Sequence, residues 1–369
     1  VRLGILGLGR YWQQLRTILK RSKVWSVAAV FDQVHHHATR EALHLGARAA
    51  ESVWQLVSWP GLDALVYCDG QWFGLWPLEL AQQLPDPAAA SGGGVADTDP
   101  QAAAEASSAK QWYRPWLCFV PPIAASGSDW RVLERLADAN FPVHFDWPEW
   151  HTLPMARLRH RLVRRLGRLV WASADFLGSP DASWTGWPGT AQFSSSQRWR
   201  IRWLSGLIAL TQLTGSTAEI LEVQILGQDQ GLTGALLLLK LQMDEYAFTA
   251  QIRVLETTGA PATHLSAKGV GDPAIQNAAA WRFRLVGEAG ELHIPGPDGV
   301  EWQDRRGRIL ETFRVYRSPL LVSLRHFRRR VQEHGIGGGK PTVEGDWPPA
   351  SLQQLARYGQ RLEQLCSGD

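Results

Sequence analysis

Gly7 and Gly9 follow a short apolar run, Arg2–Leu6, and open a stretch with helical spacing; the next apolar run, Ser26–Phe31, ends on an acid, Asp32. That spacing is the layout of a βαβ unit that cradles a dinucleotide. The first glycine allows a tight turn, the second lets backbone N–H groups approach a pyrophosphate, and an acid roughly twenty residues on accepts from ribose hydroxyls. Gly7, Gly9, Arg10, Tyr11, Trp12 and Asp32 are therefore the candidate cofactor residues, for NAD or NADP, and the acid favours NAD. The third glycine of this fingerprint belongs at position 12, where Trp12 stands. An indole there either pushes the helix off the strand or points outward over the phosphate groove. Asp32 also has a plainer reading, as a turn residue at a strand end.

Hydride chemistry on an alcohol needs a group that takes the hydroxyl proton. Asp69 ends an expected strand, and Asp146, Glu149 and His151 follow another, which the pattern makes the first strand of a second domain. Asp146, His151 and Asp69 are the candidates, each with a plainer role as a solvated or capping residue. His35, His36 and His37 are adjacent and so point in different directions; they read as a solvated run, and no metal site is expected. The arginines at 157, 159, 161, 164, 165 and 168 read as a solvated helix face, and no nucleic-acid partner is expected. Gly337–Lys340 lacks the spacing of a phosphate loop. Trp184 and Trp187 are the best loop pair for a stacking surface.

A chain of 369 residues is long for one core and suits two domains. Its 45% hydrophobic and 20% charged residues are those of a globular protein, and a net charge of +3 demands no polyanionic partner. Three scattered cysteines make no disulfide framework, so a reducing cytoplasm is the expected compartment. The opening residues do not read as a signal peptide, and no apolar run is long enough for a bilayer, so no membrane partner is expected.

The elements that must hold these residues alternate at first. Strands are expected at Arg2–Leu6, Ser26–Phe31, Ala64–Cys68 and Trp116–Val120, with helices at Tyr11–Arg21, Thr39–Leu45, Glu51–Val57 and Pro77–Leu84. Such alternation implies a parallel sheet with right-handed crossovers. Pro85–Lys110, poor in large apolar residues, reads as a flexible insertion. After a helix at Asp129–Ala139, a strand at Pro142–Phe145 and a helix at Pro154–Leu166, long strand-like runs follow. They lie at Leu169–Phe176, Ile220–Ile225, Gly234–Gln242, Tyr246–Leu255, Trp281–Val286 and Glu291–Ile294, and one helix, Trp199–Leu213, interrupts them. Pro319–Glu333 and Ser351–Leu365 close the chain as helices. The expected fold is an α/β Rossmann-type domain with a parallel sheet over residues 1–125, with 85–110 as its insertion, then an α+β domain with a large, open, mainly antiparallel sheet over 126–369.

Further landmarks stand in order along this frame. They are Gly61-Leu-Asp63-Ala-Leu-Val, the Pro121-Pro122 turn, Arg165-Leu-Gly-Arg168-Leu, Leu285-Val-Gly-Glu-Ala-Gly-Glu-Leu, and Val343-Glu-Gly-Asp346 before the last helix. With Gly7, Gly9 and Asp32 they resemble the Gfo/Idh/MocA family over essentially the whole chain apart from Pro85–Lys110. The resemblance implies an NAD(P)-dependent oxidoreductase acting on a sugar, cyclitol or similar polyol. It implies a cofactor on the first domain, substrate between that domain and the open sheet, and a sheet that serves as a homo-oligomer interface.

The positions to which the family assigns its chemistry are changed here. Pro121 holds the place of the lysine in the family's Glu-Lys-Pro turn. Leu204 and Ile208 hold those of an acid and a histidine around Gly206, and a shifted alignment puts Ser205 at the histidine. Asp69–Pro77 replaces a segment that carries another histidine. The resemblance thus leaves a second reading beside the enzyme: a catalytically silent member that binds a nucleotide, a sugar or a protein partner.

Overall fold

The first strand, β1 (Arg2–Leu6), is central to a six-stranded sheet with β2 (Ser26–Phe31), β3 (Arg48–Ala49), β4 (Ala64–Tyr67), β5 (Leu117–Val120) and β6 (Val143–Phe145). In this computed structural model the described residues are 1–68, 74–84, 117–120, 127–139, 141, 143–146, 163–178, 195–229, 232–243, 245–257, 280–296, 299–314, 319–335 and 352–367. The order β3-β2-β1-β4-β5-β6, with every pairing parallel, is that of a doubly wound dinucleotide-binding sheet. All four residues of β4 are buried, as a strand with both faces covered requires. Helices α1 (Arg10–Lys20), α2 (His35–Leu45), α3 (Val53–Val57) and α4 (Trp76–Gln83) alternate with the strands. Ser52 caps α3 by accepting from Gln55 N–H at 3.0 Å, and Gly46 ends α2 in the left-handed region at φ 66°.

Val143–Phe145, expected as the first strand of the second domain, is instead the sixth strand of this sheet. It pairs in parallel with β5 through Cys118↔Val143 and Val120↔Phe145, and its three residues are buried. Two compact units result. The first comprises Val1–Pro121, Glu134–Phe145 and Leu324–Glu344, and the second Pro122–Leu133, Asp146–Ser323 and Gly345–Asp369. Most of helix α7 (Pro319–Gly335) therefore falls to the first unit. Phe327, fully buried, stacks on Trp25 at 5.9 Å between ring centroids and touches the His144 ring at 5.5 Å.

The second unit holds an eight-stranded sheet in the order β14-β13-β12-β11-β7-β10-β9-β8. Its strands are β7 (Leu169–Gly178), β8 (Thr217–Asp229), β9 (Leu232–Gln242), β10 (Ala247–Thr257), β11 (Ala280–Gly287), β12 (Gly290–Gly296), β13 (Gly299–Asp304) and β14 (Ile309–Arg314). Only β7 and β10 pair in parallel. The expected large, mainly antiparallel sheet is present, and it also takes in β13 and β14, which the pattern did not announce. Burial alternates along β12, as in a sheet with one face against a core.

Helix α6 (Ser195–Thr214) lies on that sheet at Gly206, where a Cβ would stand 2.8 Å from Phe176 Cε2 and 3.0 Å from Ile252 Cγ2. Helix α8 (Leu352–Ser367) packs against α6 and reaches β8, where Tyr358 OH accepts from Ala218 N–H at 3.2 Å. Burial pushes the Tyr358 phenol above its ordinary pKa, so it stays a neutral hydroxyl at that contact. Of the expected helix over 154–166 only Val163–Leu166 is described, as a 3₁₀ turn. Pro85–Lys110, the Pro121-Pro122 turn, Trp184, Trp187, Gly337–Lys340 and Val343–Asp346 lie outside the described residues.

Helix α8 also approaches α5 (Gly127–Asp138), where a Cβ on Gly359 would overlap the ring of Trp130, which is 2% exposed. Gly359→Ala gains ~1 kcal/mol of helix propensity but forces apart a packed indole, and overpacking costs ~1–3 kcal/mol. A lower urea midpoint with an unchanged m-value is the expected result; a raised midpoint would contradict this packing.

Candidate functional site

At the end of β1 the chain turns through Gly7, whose φ of 84° is a left-handed conformation that only glycine adopts at little cost. Gly7 N–H donates to Phe31 O at 2.8 Å, which ties the turn to the end of β2. Gly9 then caps α1 with extended backbone, at φ −62° and ψ −171°. It has no side chain to fill the cap, and the first turn of α1 carries no acid. The first-turn N–H groups are thus available to an anion at the positive end of the helix.

Asp32 stands beside this turn with both carboxylate oxygens engaged. Oδ2 accepts from Leu8 N–H at 2.8 Å, inside the glycine turn, and Oδ1 accepts from Val34 N–H at 2.9 Å. The plainer reading of Asp32 as a turn residue therefore describes part of its work. A carboxylate has about four lone-pair sites, and these bonds take two of them. Capacity for a sugar hydroxyl remains, so the turn and its acid fit a dinucleotide.

Trp12 is 3% exposed and Tyr11 4%, so the indole does not point outward into solvent. It shares the buried stripe of α1 with Leu15 and Leu19. The backbone of α2 lies close to β2 and β3, and that of α3 close to β1; among the described elements α1 makes no comparably close approach to a strand. Trp12 Nε1 has no hydrogen-bond partner among the described residues, an arrangement that leaves a buried donor unsatisfied there. The Arg10 side chain lies outside the described residues.

Asp146 follows β6, at the carboxyl edge of the first sheet rather than in the second, and is 1% exposed. Asp69, Glu149, His151 and Pro121 lie outside the described residues. His35, His36 and His37 are exposed on the first turn of α2, and no metal-ligating cluster occurs among the described residues. Leu204 and Ile208 are 2% and 0% exposed. Each is two residues, about 200°, from the sheet-facing Gly206, so both stand on the far face of α6. Every residue from Arg202 to Thr211 is nevertheless buried, Ser205 among them at 2%. Where the family resemblance calls for an acid and a histidine, the chain has hydrocarbon inside a core.

A buried charge cluster, not anticipated from the sequence, sits on the same helix. Arg198 Nε and Nη2 donate to Glu256 Oε1 and Oε2 at 3.0 and 2.8 Å, and Arg202 Nη1 lies 3.1 Å from Oε1. Glu256 is fully buried, and the two arginines are 8% and 4% exposed. The signal was present: Glu256 continues the inward alternation of Phe248, Ala250, Ile252 and Val254, and Arg198 and Arg202 are one helical turn apart. Glu256→Gln removes the charge that two buried guanidinium groups face, a change that costs ~3–5 kcal/mol. Replacing all three residues by apolar ones of similar volume is expected to recover most of that loss. Denaturant melts of the two variants check this, and equal destabilisation of both would refute it.

No protein-family model matches the chain, and no curated protein matches it. Solved structures do resemble it. A dehydrogenase (MviM) from Clostridium difficile superposes with a TM-score of 0.63 at 9% identity, over 100% of this chain and 99% of that one. A myo-inositol dehydrogenase from Lactobacillus casei, solved with NAD(H) and myo-inositol, gives 0.63 at 13% identity over 100% and 94%. A biliverdin reductase from Synechocystis, solved with biliverdin and NADP+, gives 0.57 at 14% identity over 100% and 98%. At these identities the likeness is one of fold. The strand order of both sheets and these full-length superpositions agree that the chain has the two-domain fold of the Gfo/Idh/MocA-type dehydrogenases.

Proposed function

We propose that the chain binds a nicotinamide dinucleotide, NAD in preference to NADP, at the turn between β1 and α1. On this reading it is an oxidoreductase acting on a sugar, cyclitol or polyol. The observation that carries the reading is the left-handed turn at Gly7 joined to the carboxylate of Asp32 by Leu8 N–H. A nicotinamide held there would supply hydride transfer to or from an alcohol carbon. The first-turn N–H groups of α1 hold the pyrophosphate, and Asp32 accepts from a ribose hydroxyl with its remaining lone pairs. A 2′-phosphate would meet the charge of Asp32, which favours NAD. For the hydroxyl proton we assign Asp146 first, because it follows a strand of the same sheet as Gly7 and Asp32, with His151 and Asp69 as the alternatives. Cys68 and Cys118 are buried thiols, which suits a reducing compartment such as the cytoplasm. Among the described residues no helix is long and apolar enough to cross a membrane.

The catalytically silent reading has its own support. Leu204 and Ile208 are packed inside the core, and Pro121, with neither charge nor side-chain donor, holds the lysine position. On that reading the cofactor site and the sugar-like ligand remain and turnover does not.

Calorimetric titration of the purified chain with NADH and NADPH tests the first reading. NADH is expected to bind more tightly, and Asp32→Ala to weaken it ~10-fold or more while affecting NADPH less, because a hydrogen bond to a charged group contributes ~1.5–3 kcal/mol. If Asp32 is a turn residue alone, Asp32→Ala lowers stability without changing the ratio of the two affinities. Absence of heat with either nucleotide at ~1 mM, the weakest affinity of practical interest, would sink the proposal. NADH formation from a sugar and cyclitol panel then separates the enzyme from the silent binder.

A second copy of the chain is the partner we propose for the outer face of the eight-stranded sheet. That face pairs charges of both signs across strands, Arg253 with Asp175 at 2.7 Å and Arg284 with Glu291, beside the exposed Arg282. Light scattering is expected to give a dimer or larger assembly, and Arg282→Glu to shift it towards monomer. A wild-type monomer at ~100 μM would exclude an interface of even modest affinity.

A further inference from the structure

A cleft of ≈ 770 Å³ opens in the second unit at the carboxyl end of α6, and among the described residues that line it none is charged. Thr211, Thr214, Ser216, Thr217, Met243 and Tyr246 give it its character. Ten residues separate Thr214 from Leu204, ~15 Å along a helix axis, so the cleft is distinct from the positions where the family resemblance places chemistry.

The polar groups of the cleft are held in fixed roles. Thr211 Oγ1 donates to Ile208 O at 3.0 Å, and Thr214 Oγ1 donates to Leu210 O at 2.8 Å. With its proton so used, Thr214 Oγ1 accepts from Ser216 Oγ at 2.7 Å, which leaves lone pairs on Ser216. The last carbonyls of α6 add further acceptors at the negative end of a twenty-residue helix. Tyr246 OH accepts from Leu169 N–H at 3.0 Å and keeps its own proton to donate. The site thus combines many acceptors with a phenol donor, an aromatic ring at one side and the side-chain amides of Gln212 and Gln354, which both donate and accept.

Charge decides among the ligands that bring donors to such a site. An anion would meet the negative helix end with no cationic side chain among the described lining residues. A cation would find no carboxylate among the described lining residues and would approach a ring that the Arg168 guanidinium already covers at 4.9 Å. We propose that this cleft is a binding site for a neutral, hydroxyl-rich molecule of the mono- or disaccharide class, separate from the nucleotide turn and independent of whether the chain has redox activity.

The chain has two methionines, Met155 and Met243, and Met243 lines the cleft, which makes a local reporter. In full-length protein labelled with [13C-methyl]methionine, Met243→Leu assigns the two resonances. Sucrose is the probe, taken to ~100 mM, where a Kd of ~10 mM gives about nine-tenths saturation. The expected result is a saturable shift of the Met243 methyl. Thr217→Trp, an exposed strand position where an aromatic is well tolerated, fills the mouth of the cleft and should abolish the shift. No saturable shift, or one that survives in a folded Thr217→Trp variant, overturns the site. A stronger response to spermidine than to sucrose overturns the ligand class. NADH added to the same samples reports on the nucleotide turn separately, so either proposal can fail alone.

Discussion

Helix α6 can seat on the eight-stranded sheet only because Gly206 has no side chain. Its backbone lies where a Cβ would press on Phe176 and Ile252, side chains of the two parallel strands β7 and β10. Seated this deeply, and flanked by α8, the middle of the helix has no exposed face. Three features of the second unit follow from that depth. Leu204 and Ile208 must be apolar because a lone ionisable group there would be desolvated. Arg198 and Arg202 are tolerated because Glu256 reaches them from the inward face of β10. The polar end of the same helix is left to form the wall of a cleft.

In the first unit the same conflict between packing and chemistry centres on Trp12. The glycine turn and Asp32 make a cradle of backbone N–H groups beside a carboxylate. Trp12 is buried at the position where the fingerprint has its third glycine. The bond from Leu8 N–H to Asp32 holds turn and acid together without depending on how closely α1 packs on the sheet.

Much of this was legible in the residues. The alternation of short buried strands with helices gave the parallel sheet, and Gly7 with Asp32 fixed its first turn. Two of the later landmarks meet in space: Ala289 N–H donates to Leu166 O at 2.9 Å and Glu288 N–H to Arg168 O at 3.0 Å. Arg165–Leu169 and Leu285–Leu292 are thus two halves of one junction, which is why they could be read together. The membership of Val143–Phe145 was misread, because three buried residues look the same at the edge of either sheet. The strands β13 and β14 were missed because Glu301, Gln303, Asp304 and Glu311 make their polar residues look like loop. The charge cluster was missed because its partners lie 58 residues apart.

By itself, the sequence determined which segments are helices and strands with a buried apolar face and where the chain turns, because periodicity and glycine conformation are local properties. It thereby determined an α/β and an α+β unit and the glycine turn with its acid. Only the tertiary structure decided what each buried face is buried against. It assigned Val143–Phe145 and most of α7 to the first unit, engaged both oxygens of Asp32, turned Trp12 inward, and opened a cleft at the end of α6. A burial pattern specifies that a side chain leaves water but not its partner, and partner choice rests on contacts between segments far apart in the chain.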